Sequence, residues 1–127
     1  MHGTLVLAGA DLTVLTRLAA EAGTSFGSPL LIQSRRPVDN LTSKPVHDAN
    51  AAIVWLNGCE NVVELRALLE ANPGACFVLL TQTYPPHAAF ARIAGQHGAA
   101  ILPANESSLV INATLIALLS RHAATAV

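Results

Sequence analysis

Short apolar runs alternate with helical-period segments along the whole chain. Residues 4–8 (Thr-Leu-Val-Leu-Ala) form a nearly unbroken apolar run, the pattern of a strand buried on both faces. Gly9-Ala10 turn the chain, and Asp11 is placed as N-cap of a helix with Leu12, Leu15, Leu18, Ala19 and Ala22 at helical spacing. Gly23 is placed to end it. Residues 28–33 read as a second strand, with Pro29 suited to its start or to a sheet edge. Residues 34–50 are polar, carry two prolines and give a weak helix signal. Residues 51–56 (Ala-Ala-Ile-Val-Trp-Leu) are a third strand, followed by the turn dipeptide Asn57-Gly58. A helix over 60–71 puts Val62, Leu65, Leu68 and Leu69 on one stripe, and Asn72-Pro73-Gly74 stops it. Residues 75–81 are a fourth strand. Pro85-Pro86 open a helix whose Phe90, Ile93, Ala94 and His97 share a face, and Gly98 ends it. Residues 99–102 make a short fifth strand. The last helix covers 106–122, with Leu109, Ala113, Ile116 and Leu119 expected to point inward.

A strand–helix pair repeated five times predicts a parallel sheet with helices on both faces. Right-handed crossovers restrict the topology. The expected architecture is a flavodoxin-like, doubly wound, five-stranded α/β domain of order 2-1-3-4-5, with residues 1–127 forming a single domain.

Composition adds to this picture. The chain is 52% hydrophobic and 12% charged, about half the usual charged share. That balance predicts a large core and some surface covered by a partner. The net charge is -1, and the one tight basic pair is Arg35-Arg36. Direct nucleic-acid binding, which draws its affinity from a basic face, is not expected. Cys59 and Cys76 make no disulfide framework. No apolar run is long enough to span a membrane and the N-terminus has no leader pattern, so a cytoplasmic location is the expectation.

Several local features in this order resemble the response-regulator receiver (CheY-like) family. They are the third strand followed by Asn57-Gly58, the fourth strand ending in Thr81, and Gly98-Ala99-Ala100 before a short fifth strand. The resemblance covers nearly the whole chain. It implies a pocket at the C-terminal strand ends. There, paired acids after the first strand help hold Mg²⁺ and an Asp after the third takes the phosphoryl group. A Thr or Ser ends the fourth strand and a Lys follows the fifth. Such chemistry needs a carboxylate nucleophile and a hard cation with oxygen ligands. This chain departs from that set. Ala8 and Gly9 stand after the first strand, Asn57 stands at the phospho-acceptor position, and Ala104 stands after the fifth strand. Its single lysine is Lys44, and only Thr81 keeps the family's residue type. The expectation is a degenerate receiver that works without phosphorylation, metal or cofactor, and that is not an enzyme.

Other candidates have plainer readings. Asn57 is either a remnant that holds the pocket or an ordinary Asn-Gly turn, and the turn is preferred. Thr81 is either a vestigial switch hydroxyl or a local hydrogen-bonding group, with the local role preferred. Asp11 reads as a helix cap before a metal ligand. Ser107-Ser108 read as caps before a phosphate site. His2, His47, His87, His97 and His122 show no metal-ligand spacing; Cys76 and Trp55 read as core, and Cys59 as a loop thiol.

The leading expectation is a regulatory module acting through protein contact. By resemblance it would be the N-terminal part of a response or transcription regulator, dimerising through its fourth and fifth helices. Tyr84, Ala88, Ala89, Ala91, Val110, Ala117 and Ala123 would form that small, apolar surface. The alternative is a sensor binding an uncharged or nucleotide-like molecule at the strand ends, lined by Gly9, Ala10, Asn57, Gly58, Thr81, Gln82 and Thr83.

Overall fold

The computed structural model describes residues 4–26, 29–45, 49–56 and 60–125. Its elements are β1 (Thr4–Gly9), α1 (Leu12–Phe26), β2 (Leu30–Gln33), α2 (Pro37–Ser43), β3 (Ala49–Trp55), α3 (Val62–Ala71), β4 (Cys76–Thr81), α4 (Ala88–Gln96), β5 (Ala100–Pro103) and α5 (Ser108–Thr125). All strand pairs are parallel, in the order β2-β1-β3-β4-β5. This is the expected flavodoxin-like sheet.

Strand side chains alternate between two cores, as a pleated strand requires. Leu5, Leu7, Ala51, Ile53, Val78 and Leu80 pack with Leu15 and Leu18 of α1 and with Ile111, Leu115 and Leu118 of α5. Val6, Ala8, Ala52, Val54, Phe77 and Leu79 pack with Val38, Leu41, Leu65, Leu68, Leu69, Ile93 and Ala94 of α2, α3 and α4. The central strands are therefore buried on both sides, which explains their unbroken apolar runs. Pro29 precedes β2, an edge strand, where a missing backbone donor costs no ladder bond.

The polar segment over 34–50 contains a real helix. Pro37 starts α2, and Pro37, Val38 and Leu41 are buried. The buried Asn72 amide donates to Leu41 O at 3.1 Å and to Leu68 O at 3.0 Å, tying α2 to α3. Arg36 adds ion pairs to Asp39 and, at 2.9 Å, to Glu64. Asn61 and Glu64 form a capping box that starts α3. Strand β3 begins at Ala49, two residues before the expected start at Ala51. Gly98 has φ of +70° after α4, a conformation suited to glycine, and Ala99 N donates to Ala94 O at 2.8 Å to close that helix.

Three side-chain placements differ from the sequence pattern. On α5 the inward residues are Ile111, Leu115 and Leu118, while Leu109 is 79% exposed, Ile116 is 53% exposed and Ala113 is also outside. Only Leu119 of the expected set is partly buried. This helix is apolar on nearly every side, so two stripes of equal spacing compete and periodicity alone cannot choose. Leu12 of α1 is exposed, because it lies in the first turn, beyond the strand side chains that cover Leu15. His97 is exposed at the end of α4, where its ring stays in water. The side chains of Ala22, His122 and Ala123 lie outside the described residues, as do residues 27 and 28.

The phase of α5 is checked by a pair of truncations. Leu115→Ala, at a site 1% exposed, is expected to cost about 2–5 kcal/mol. Ile116→Ala should change monomer stability by less than about 1 kcal/mol. Urea denaturation at low protein concentration reads both, and equal costs would contradict this packing.

Candidate functional site

The C-terminal edge of the sheet is built from the ends of β1, β3, β4 and β5. Ala8 and Gly9 close β1 and are buried. A side chain on Gly9 would meet Trp55 Cβ at 3.2 Å, Trp55 Cε3 at 3.3 Å and Leu15 Cδ2 at 3.5 Å. The indole of Trp55 thus lies against the end of β1, and glycine leaves it room. Trp55 ends β3 and shares the parity of Ile53, so it falls on the side of the sheet covered by α1 and α5. It is partly buried, packed against that core yet lining the open edge.

The polar groups at this edge are committed mainly to local structure. Asp11 Oδ1 accepts from Thr13 N at 2.9 Å and from Val14 N at 3.4 Å, the geometry of a helix cap. Thr81 is buried; its Oγ1 accepts from Thr83 N at 3.2 Å and donates to Thr83 O at 3.4 Å. Its backbone carbonyl accepts from Ala104 N at 2.8 Å, which brings the loop after β5 beside the end of β4. Ser107 Oγ accepts from Val110 N at 3.3 Å and caps α5. Asn57, Gly58 and Cys59 lie outside the described residues. Among the described residues, no three His, Cys, Asp or Glu side chains converge as a metal site would require.

The concave surface at this edge has two adjoining lobes. One, about 460 Å³, runs past Gly9, Ala10, Asp11, Arg35, Leu56 and Gln82. The other, about 490 Å³, runs between α1 and the start of α5, past Glu21, Asn105, Glu106, Ser107 and Ser108. Val14, Arg17, Trp55 and Ala104 line both lobes. Of the residues expected to line a ligand pocket, Gly9, Ala10 and Gln82 meet in the first lobe. Thr81 and Thr83 instead border a separate depression with Glu60, His87 and Phe90. The groove is therefore not the neutral pocket expected from the sequence, because Arg17 and Arg35 enter it. Trp55 and Arg17 were the residues that the sequence reading missed. The signal was present: the parity of Trp55 with Ile53, and the helical spacing of Val14, Arg17, Leu18 and Glu21.

The described residues expected to form an interaction surface are on the outside. Tyr84 is 52% exposed, and Ala88, Ala89, Ala91, Val110 and Ala117 are exposed. Cys76 is buried at the start of β4, and burial pushes its thiol pKa up, so it behaves as core. No described helix is long and apolar enough to cross a membrane.

No family model matches the sequence, and no curated protein matches it. Solved structures do. The signal receiver domain of an HD domain-containing protein from Pseudomonas fluorescens superposes with a TM-score of 0.70 at 15% identity, covering 98% of this chain and 99% of that one. A candidate pilus assembly protein (cpaE) from Burkholderia thailandensis gives 0.68 at 13% identity, covering 92% and 98%. A response regulator from Burkholderia pseudomallei, solved with a phosphorylated aspartate, gives 0.64 at 18% identity, covering 96% and 71%. The chain therefore has the receiver-domain fold.

Two substitutions probe this edge. Gly9→Ala should destabilise the fold by about 1–3 kcal/mol, since the added methyl must displace the indole, and should shift the tryptophan emission. Asp11→Asn should be nearly neutral while Asp11→Ala costs about 1 kcal/mol, as a helix cap requires. Thermal or chemical denaturation measures each, and an Asn substitution as costly as Ala would contradict the capping role.

Proposed function

We propose that this domain is a signalling module that works through protein–protein contact, without phosphoryl transfer, as a homodimer. The observation that carries the first part is the residue content of the strand ends. Ala8 and Gly9 are buried where a receiver has its acids, and Ala104 sits beside β4 where it has its lysine. Mg²⁺ holds its waters tightly and needs carboxylates to stay. Asp11, the acid next to β1, caps a helix. A phosphoryl group would meet no lysine here, since the one lysine of the chain is Lys44 at the end of α2.

The homodimer reading draws support from the outer face of α5. Leu109, Ala113 and Ile116 are exposed at i, i+4 and i+7, with Val110 and Ala117 beside them. No charge interrupts this stripe. Ala88 and Ala91 on α4 and Tyr84 before it are exposed as well. Covering one such leucine or isoleucine contributes about 1.5–3 kcal/mol.

The setting follows the structural neighbours only loosely. A transcription regulator remains one parent, with an output domain elsewhere. The likeness to a candidate pilus assembly protein supports a second, in which the domain docks within a larger assembly. Either use requires a protein-binding face and no chemistry of its own.

Two measurements test the proposal. In an amide NMR titration with Mg²⁺ and beryllofluoride, the resonances of Asn57, Thr81 and Ala104 should stay in place; movement at modest concentration overturns the phosphorylation-independent reading. In light scattering the domain should be a dimer, and Ile116→Glu should shift it to monomer with its circular dichroism unchanged. A parent that stays monomeric at high concentration overturns the dimer.

A further inference from the structure

We infer that the homodimer is a twofold pair in which α5 packs antiparallel on the partner's α5, with Ala113 at the axis and α4 outside the contact. The inference rests on the homodimer reading and adds its geometry. It starts from where the apolar stripe points. Ile111, Leu115 and Leu118 hold α5 to the sheet, and Leu109, Ala113 and Ile116 stand on the opposite side of the helix. The stripe therefore faces away from the sheet. Helix α4 covers the other face of the sheet through Ile93 and Ala94, so its exposed Ala88 and Ala91 lie across the sheet from the stripe.

The occupant follows from the order of large and small residues. Leu109 is 79% exposed, Ile116 53% and Val110 39%, and the exposed Ala113 and Ala117 lie among them. A closed twofold contact is self-complementary, so the surface must fit its own copy. Antiparallel packing about Ala113 sets Leu109 against the partner's Ala117 and Val110 against the partner's Ile116, each twice. Large side chains then meet small ones, as interdigitating layers require. Alanine on alanine at the crossing lets the axes approach to the short end of the usual range, about 8–10 Å. Parallel packing would set Leu109 on the partner's Leu109 and leave gaps where alanines face each other.

Charge makes the same choice. No charged residue lies in α5 before Arg121, and Glu106 stands just ahead of the helix. Arg121 is exposed and has no ion-pair partner among the described residues. Antiparallel packing brings Arg121 level with residue 105 of the partner, next to the partner's Glu106, and opposes the two helix dipoles. Parallel packing would bring Arg121 towards the partner's Arg121 and align the dipoles. One helix on its copy is a small interface, so the dimer should form at micromolar rather than nanomolar concentration.

The experiment is cysteine cross-linking of the intact domain carrying Cys59→Ser; Cys76 is buried. Ala113→Cys, Ala117→Cys and Ala88→Cys each place one thiol at an exposed position, and circular dichroism checks that each variant folds like the parent. Light scattering first sizes the parent, and oxidised glutathione then drives disulfide formation. With axes about 8–10 Å apart, Cα atoms facing each other at the axis come within about 5–6 Å, which a disulfide spans. Ala113→Cys should therefore link into a covalent dimer. Ala117→Cys, whose two copies would stand about 12 Å apart along the helices, and Ala88→Cys should each link at least about tenfold more slowly. A mixture of Leu109→Cys and Ala117→Cys should link into a mixed dimer. If the parent is a dimer and Ala117→Cys links as fast as Ala113→Cys, the inference is overturned while the homodimer stands. The same follows if Ala88→Cys links fastest or Ala113→Cys does not link. A monomeric parent removes the homodimer reading and this inference with it.

Discussion

Burial of β1, β3 and β4 on both faces is the constraint from which the rest of the architecture follows. These strands carry almost no polar side chain, so each face must be covered by helices. Parallel pairing then forces a crossover between successive strands, and right-handed crossovers place α1 and α5 on one side and α2, α3 and α4 on the other. With both faces closed, the surfaces left for function are the strand ends and the outer sides of the helices.

At the strand ends, Gly9, Trp55 and Leu15 lie close to one another. Gly9 and Trp55 are close neighbours: a methyl group on Gly9 would press on the indole by a few tenths of an ångström. A carboxylate at either Ala8 or Gly9 would be buried beside apolar neighbours, where an unpaired charge is strongly disfavoured. What remains polar is the rim, where Arg17, Arg35 and Gln82 face water.

Much of this was legible in the residues. The strands are short, apolar and bounded by turn residues, and their alternation with helical stripes is enough to order the sheet. The helix caps at Asp11 and Ser107 were legible because a side-chain oxygen before an apolar helical pattern has one common use. Helix α2 was obscured because its support is tertiary: Asn72, thirty-one positions from Leu41, ties it down. The expected pocket was drawn from strand ends and the loops after them. The groove also takes Trp55 from a strand and Val14 and Arg17 from a helix, and among the described residues three of the expected lining residues meet there.

The misplaced stripe of α5 has the same origin as its proposed use. A helix with a single apolar face announces that face by its period. On α5, Ile111, Leu115 and Leu118 compete with Leu109, Ala113 and Ile116, and both sets repeat at i, i+4 and i+7. Only contact with the strands decides which set goes inside. A monomer would gain nothing from the second set, because an exposed leucine or isoleucine contributes no burial and raises the risk of non-specific association. The ambiguity that defeats the sequence pattern is thus what the proposed dimer asks of this helix, one apolar face for its own sheet and a second for another protein surface.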